Sequence, residues 1–345
     1  MSGTPNHDQH IAQLIDANLD RAREGIRVIE DWCRFGLNRK DLVITLKNWR
    51  QELGASHKEN YKKARSIHTD SGAKLDHPFQ KNRVQPLEVV FANCARAQEA
   101  LRVLEEFSRG SNQQLSKISS RIRYGLYEIE KEILKASCKS RRKDLLHKSK
   151  LCLVTTPHPN LINTVYCAVK AGIKMVQYRS KKENDLDKVA QAKELVAICR
   201  KSNSLFIVND RIDLALAVDA DGVHLGQEDF PLDDAKRVLG EEKILGVSTH
   251  SIEQVQQAES QGWDYIGIGP IFKSRSKPMT KPIGLKTLKE VSSTTRLPYF
   301  AIGGINEINI REVLANGATR VAVINAIMNA KDAGNASRNL LKELQ

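Results

Sequence analysis

Two aspartates carry the most legible chemistry in the chain. In SLFIVNDRIDLALAVDADGVHLGQED, residues 204–229, two apolar runs each end in a polar, acid-bearing tip. Leu205 to Val208 stops at Asn209-Asp210-Arg211, and Gly222 to Leu225 stops at Gly226-Gln227-Glu228-Asp229. Strand, tip, short helix, strand and tip read as a βαβ unit. Parallel neighbours bring their C-terminal tips side by side. Asp210 and Asp229 would then offer two hard oxygen ligands to one cation, best matched by Mg2+ gripping a substrate phosphate. The competing reading is a helix N-cap beside a loop acid.

Other tips supply cations and hydroxyls. In Gln177-Tyr178-Arg179-Ser180-Lys181, alternation points Gln177, Arg179 and Lys181 to one side, a pairing suited to a pyrophosphate. Ser248, in Gly246-Val247-Ser248-Thr249-His250, offers a hydroxyl to a phosphate or a ring. GPIFKSRSKP (269–278) adds two serines and three basic residues, suited to a second phosphate or a carboxylate. Gly303-Gly304-Ile305 and Ile324-Asn325 end two later runs, where glycine lets backbone N–H groups approach an oxyanion. No nucleophile with its own base is evident. Two anion sites and a metal suit a reaction whose leaving group is pyrophosphate.

These tips need strands to hold them. Leu151–Thr155, Met175–Tyr178, Leu205–Val208, Gly222–Leu225, Ile244–Val247, Tyr265–Ile268, Tyr299–Ile302 and Val321–Ile324 alternate with amphipathic segments, predicting a (β/α)8 TIM barrel over 150–345. A doubly wound sheet would need a glycine fingerprint after the first strand, and none is there.

Residues 1–138 read as an all-α domain with an internal repeat. ANLDRAREGIRVIEDWCR (17–34) and ANCARAQEALRVLEEFSR (92–109) match at nine of eighteen positions, within copies spanning 15–34 and 90–109. Ile15, Leu19, Ala22, Ile26, Ile29 and Cys33 form one apolar stripe; Val90, Cys94, Ala97, Leu101, Leu104 and Ser108 form its counterpart. Together they predict a pseudo-two-fold bundle. The repeated Glu and Arg positions, Glu24/Glu99, Arg27/Arg102 and Glu30/Glu105, read as surface pairs. Alternatively, Asn18, Arg21, Asn93 and Arg96 line an anion pocket. A polar loop between the copies carries His68, Asp70 and His77, candidate ligands or bases or merely solvated residues. KSRRKDLLHKSK, ending at Lys150, is dense in like charge; 139–149 is predicted to be a solvated basic linker.

Charge is uneven: residues 1–150 hold 29 Lys and Arg against 19 Asp and Glu, and the remainder 25 against 22. With few aromatics and no nucleic-acid motif, phosphorylated small molecules suit this balance better than nucleic acid. No apolar run approaches a membrane span. No signal pattern opens the chain, and six cysteines stand singly, so a cytoplasmic location is expected. A homo-oligomer is compatible with all of this.

The motifs QYRSK, VNDR, GVHLGQED, GVSTH, GPIFKSRSK and AIGGI, with the Ile324-Asn325 end, resemble the thiamine-phosphate synthase family over residues 150–330. The resemblance implies condensation of 4-amino-2-methyl-5-(diphosphooxymethyl)pyrimidine with a thiazole phosphate, a dissociative transfer assisted by Mg2+ that releases pyrophosphate. It implies that Gln177, Arg179, Lys181, Asn209, Ser248 and Lys277 hold the pyrimidine substrate and that Asp210 and Asp229 hold the metal. Ser274 and Ser276 stand where the family has threonines at the thiazole phosphate, beside Gly304, Ile324 and Asn325; Asn325 replaces a serine. Residues 1–138 resemble the helical extension of cyanobacterial-type members, for which a pyrimidine-phosphate kinase role has been proposed; a dimerisation or regulatory module is the rival. The remaining alternatives for the barrel are a thiazole tautomerase and a non-catalytic metabolite binder.

Overall fold

A computed structural model describes residues 7–65, 83, 85–181, 183–273 and 281–345. His68, Asp70, His77, Ser274, Ser276 and Lys277 lie outside the described residues. The chain divides into two compact units, residues 1–137 and 138–345.

The first unit is helical: α1 (His7–Asp31) running into a π turn (Trp32–Gly36), α2 (Lys40–Ala55), α3 (Glu59–Lys63), α4 (Pro86–Phe107) and the start of α5 (Gln113–Lys148). Gln85 and Glu88 form a reciprocal capping box at the start of α4, and Pro86 occupies the first turn, where its missing N–H costs nothing. Both predicted apolar stripes are buried; Ile15, Leu19, Ala22, Cys94, Ala97 and Leu101 are all at 0% exposure. α1 meets α4 closely: a Cβ on Gly25 would stand 3.0 Å from the Asn93 carbonyl and 3.1 Å from the Ala97 Cβ.

The repeated glutamates have partners that helix spacing does not reveal. Glu30 Oε2 accepts from Arg50 Nε of α2 at 3.0 Å, and Glu105 Oε2 accepts from Arg123 Nη2 of α5 at 3.0 Å. Glu30 and Glu105 are buried, so each carboxylate meets a guanidinium from the following helix. The predicted neighbours Arg27 and Arg102 sit farther from them, at 3.4 Å. The duplicated unit is therefore a helix pair, and the surface-pair reading of these two glutamates is corrected.

The second unit is a closed barrel of eight parallel strands in sequence order: β1 (Leu151–Val154), β2 (Met175–Tyr178), β3 (Leu205–Asn209), β4 (Gly222–Leu225), β5 (Ile244–Thr249), β6 (Tyr265–Ile268), β7 (Tyr299–Ile302) and β8 (Val321–Val323). The connections are α6 (Leu161–Lys170), α7 (Asp185–Lys201), α8 (Ile212–Ala217), α9 (Leu232–Leu239), α10 (Ile252–Gln261), α11 (Gly284–Thr294) and α12 (Ile310–Ala315), followed by α13 (Asn325–Met328) and α14 (Ala333–Glu343). Alternation sends Leu153, Val176, Val208 and Val223 outward against the helices. It sends Cys152, Met175, Leu205, Ile244, Tyr265 and Phe300 inward.

The predicted linker is not one. Helix α5 continues to Lys148, and Leu145 and Leu146 pack with the inward-facing strand residues. Because Leu146 lies just before Leu151, which begins β1, this last turn closes the N-terminal end of the barrel. Arg142 is buried there, its Nε 3.1 Å from Asp221 Oδ1 and its Nη1 donating to the Glu242 carbonyl at 3.0 Å. The charge run hid one leucine pair and one committed arginine.

Candidate active site

Inward-facing residues near the C-terminal ends of the strands surround a cavity of about 390 Å3. Gln177, Arg179, Asn209, Ser248, Gly304, Ile324 and Asn325 line it, joined by His224, His250, Tyr265 and Lys273. Strand register explains the set. Gln177 pairs with Ile207 and Asn209 with His224, so residues of like parity from β2, β3 and β4 climb the interior together. Arg179 lies just beyond β2, where the fully buried Thr155 hydroxyl accepts its backbone N–H at 3.0 Å. The Arg179 guanidinium forms no ion pair among the described residues. Lys181 is exposed and does not line the cavity.

Arg211, a second arginine at the described tips, is already committed. Its guanidinium forks onto Asp185 at 2.9 and 3.1 Å and onto Asp213 at 2.8 and 2.6 Å. It holds the Asp213 carboxyl down at about 2, chiefly through those hydrogen bonds. Arg211 thus braces the turn after β3, leaving Arg179, among the described residues, as the cavity's uncommitted arginine.

That turn presents Asp210. Its φ of 65° is left-handed, which aspartate tolerates better than most residues, and its N–H donates to the His224 carbonyl at 2.9 Å. The backbone therefore swings the Asp210 side chain out of the strand's alternation, and it is exposed rather than part of the cavity wall. Asp229 is also exposed, and its Oδ2 folds back to accept the Gly226 N–H at 2.6 Å. Since Asn209 pairs with His224, Asp210 falls opposite Leu225, one residue from Gly226. Strands of one sheet lie roughly 4.8 Å apart, so the two acids arise at neighbouring points of the mouth. Two such carboxylates fit Mg2+, which retains waters and takes further ligands from a phosphate.

The wall opposite comes from the turns after β7 and β8. Gly303 and Gly304 have φ of 105° and 69°, and a Cβ on Gly304 would stand 2.8 Å from the Phe272 Cβ. Only glycine lets this turn lie against the β6 loop. The N–H groups of Gly304 and Ile305 have no acceptor among the described residues.

Four groups that the sequence reading did not single out also belong here. His224, buried inside the motif GVHLGQED, has Nδ1 3.0 Å from the Tyr265 hydroxyl and Nε2 3.0 Å from Ser248 Oγ. Tyr265, whose ionisation burial pushes far above its ordinary range, also interacts with the Gln177 side chain. A polar chain therefore crosses the cavity floor from Gln177 to Ser248. A histidine between apolar neighbours on a strand with glycine at both ends was its signal. His250 Nδ1 lies 2.5 Å from the Gly269 carbonyl, and Lys273 is exposed at the rim. The nearby Cys152 thiol is pushed up to about 12 by burial, so it stays protonated and is no nucleophile at neutral pH.

In the helical unit, Asn18 and Asn93 are buried and donate to carbonyls four residues back, Leu14 at 2.9 Å and Val89 at 2.8 Å. Arg21 and Arg96 are exposed.

Comparison with known proteins decides the family. A family model described as thiamine monophosphate synthase matches residues 151–327. A thiamine-phosphate synthase of Prochlorococcus marinus strain SARG is 58% identical over 345 residues, covering 100% of both chains. The chain belongs to the thiamine-phosphate synthase family. A second such synthase, from Prochlorococcus marinus strain MIT 9303, is 55% identical and covers 100% of this chain and 99% of its own. Among solved structures, thiamine phosphate pyrophosphorylase from Pyrococcus furiosus is 36% identical with a TM-score of 0.53. It covers 59% of this chain and 96% of its own. The ThiD2 family model matches residues 13–132 of this synthase-family chain. No helix among its described residues is long and apolar enough to cross a membrane.

Proposed function

We propose that the barrel joins hydroxymethylpyrimidine pyrophosphate to a thiazole phosphate, yielding thiamine phosphate and pyrophosphate. One observation carries this reading: Gln177, Arg179, Asn209 and Ser248 converge on one cavity, with Asp210 and Asp229 at neighbouring points of its mouth. The methylene carbon–oxygen bond of the pyrimidine substrate breaks with its electron pair going to pyrophosphate, and the thiazole nitrogen lone pair forms the new carbon–nitrogen bond. No protein nucleophile is needed, in keeping with the buried, protonated Cys152.

Arg179, Lys181, Asn209 and Lys277 hold the pyrophosphate in this scheme, while Gln177 and Ser248 orient the pyrimidine. Asp210 and Asp229 hold Mg2+, which when bound neutralises charge on the departing group. Ser274, Ser276, the Gly304 N–H and the Ile324-Asn325 turn take the thiazole phosphate. His224 Nε2 lies 3.0 Å from Ser248 Oγ, so His224 sets which way the Ser248 hydroxyl points. His224→Phe is expected to raise KM for the pyrimidine substrate by roughly 10-fold, the equivalent of one lost hydrogen bond. Steady-state kinetics check this, and an unchanged KM contradicts the orienting role.

The overall reading is tested by supplying both substrates with Mg2+ to the full chain. Thiamine phosphate and pyrophosphate are expected in equal amounts. Conversion of a thiazole substrate alone, without pyrophosphate release, would instead mark a tautomerase.

A further inference from the structure

The repeat in the helical unit leaves one motif without a use. Besides the buried stripes, a second pattern recurs at the same offset: Arg21, Glu24 and Val28 on α1 match Arg96, Glu99 and Val103 on α4. The two arginines, the two glutamates and Val28 are exposed, and Val103 is half-buried. None of the four charged side chains has a hydrogen bond or ion pair among the described residues. This contrasts with Arg27, Glu30, Arg102 and Glu105 on the same helices, all of which are paired.

The helical geometry gathers these residues on one face. Arg21 precedes the buried Ala22 by one residue, and Arg96 precedes the buried Ala97 by one. A parallel two-fold pair would set Gly25 level with its counterpart Ala100, whereas it lies against Asn93 and Ala97, as expected for an antiparallel pair. An approximate two-fold axis passing between Ala22 and Ala97 then exchanges the helices. Side chains at equivalent positions flank that axis on the same side of the pair. The face carries two cations and two anions on either side of the seam in which Gly25 and Ala100 are buried, and Phe107 is 48% exposed.

We propose that this face packs against the same face of a second copy of the chain. Its charge pattern selects that partner. The quartet is neutral, so it favours neither a polyanion nor a phosphorylated ligand. It is also self-complementary: a second copy turned over about a two-fold axis parallel to α1 brings Arg21 opposite Glu99 of the other copy, and Glu24 opposite its Arg96. An isologous dimer requires such a surface, each patch completing itself. Helix repeat and dimer axis thus combine four equivalent helices into one two-layer bundle.

The test is sedimentation velocity of the full chain at micromolar concentration. The wild type is expected to be dimeric. The all-acidic face made by R21E/R96E and the all-basic face made by E24R/E99R should each weaken self-association by roughly 100-fold or more, because like charges then meet across the axis. Mixing the two variants one to one should restore a dimer, which also rules out loss of fold as the cause. A monomeric wild type, charge-reversed variants that remain dimeric, or a mixture that fails to associate would each overturn the proposal.

Discussion

Asp210→Asn is expected to lower thiamine phosphate formation by roughly 1,000-fold with little change in thermal unfolding. Asparagine is the informative substitution because it tolerates the left-handed φ of 65° at this position, whereas alanine would add backbone strain. The Asp210 N–H bond to the His224 carbonyl is unaffected by the change, and the exposed side chain contributes no core packing. On the proposed reading the substitution removes one of two hard oxygen ligands to Mg2+. Asp229→Asn should behave similarly, since its amide oxygen can still accept the Gly226 N–H. Product formation across a Mg2+ titration, with a melting curve for each variant, checks both; full turnover by either variant contradicts the assignment.

Glu105→Ala is expected to destabilise the helical unit by about 3 kcal/mol. Glu105 and Arg123 are each only 8% exposed, and removing the carboxylate strands the buried guanidinium, which accounts for most of the cost. Replacing both, as in Glu105→Leu with Arg123→Met, should recover most of the loss, because a packed apolar pair avoids desolvating charge. The pH dependence has a definite sign. Burial alone would raise the Glu105 carboxyl, but Arg123 and Arg102 hold it below its ordinary range. Its contribution is therefore full above the unfolded value of ~4.3 and is lost as pH falls through the lower folded value. Chemical denaturation at neutral and acidic pH reads both effects; a Glu105→Ala variant as stable as wild type at neutral pH would contradict them.

These two predictions differ in how far the sequence foretold them. Asp210 was legible because apolar runs of four or five residues end abruptly in polar tips, and in a parallel barrel every such tip faces one way. The same alternation brought Gln177, Arg179, Asn209 and Ser248 to one cavity. Lys181 shares their parity but lies three residues past the end of β2, where the pleat no longer dictates direction. Asp210 itself departs from strand parity because its φ turns positive, a local event that no periodicity encodes.

Partners that come from elsewhere in the chain were the harder part. Glu105 follows Arg102 by three, which resembles a surface pair, while its main counter-ion, Arg123, comes from the next helix. The sequence around Arg142 looked like a solvated charge run because most of its charges are indeed exposed; Arg142, Leu145, Leu146 and Ser149 turn inward. His224 was masked by its apolar neighbours, since a single polar residue inside a strand is legible only once its partners Tyr265 and Ser248 are seen beside it.

The central claim is that Asp210 and Asp229 make the mouth of the barrel a metal-dependent pyrophosphate clamp. Calorimetric titration of the full chain with hydroxymethylpyrimidine pyrophosphate, with and without Mg2+, tests it most directly. Binding is predicted to require Mg2+ in the wild type and to be strongly weakened in Asp210→Asn. Equal affinity with and without the metal, or an Asp210→Asn variant that binds as the wild type does, would contradict it.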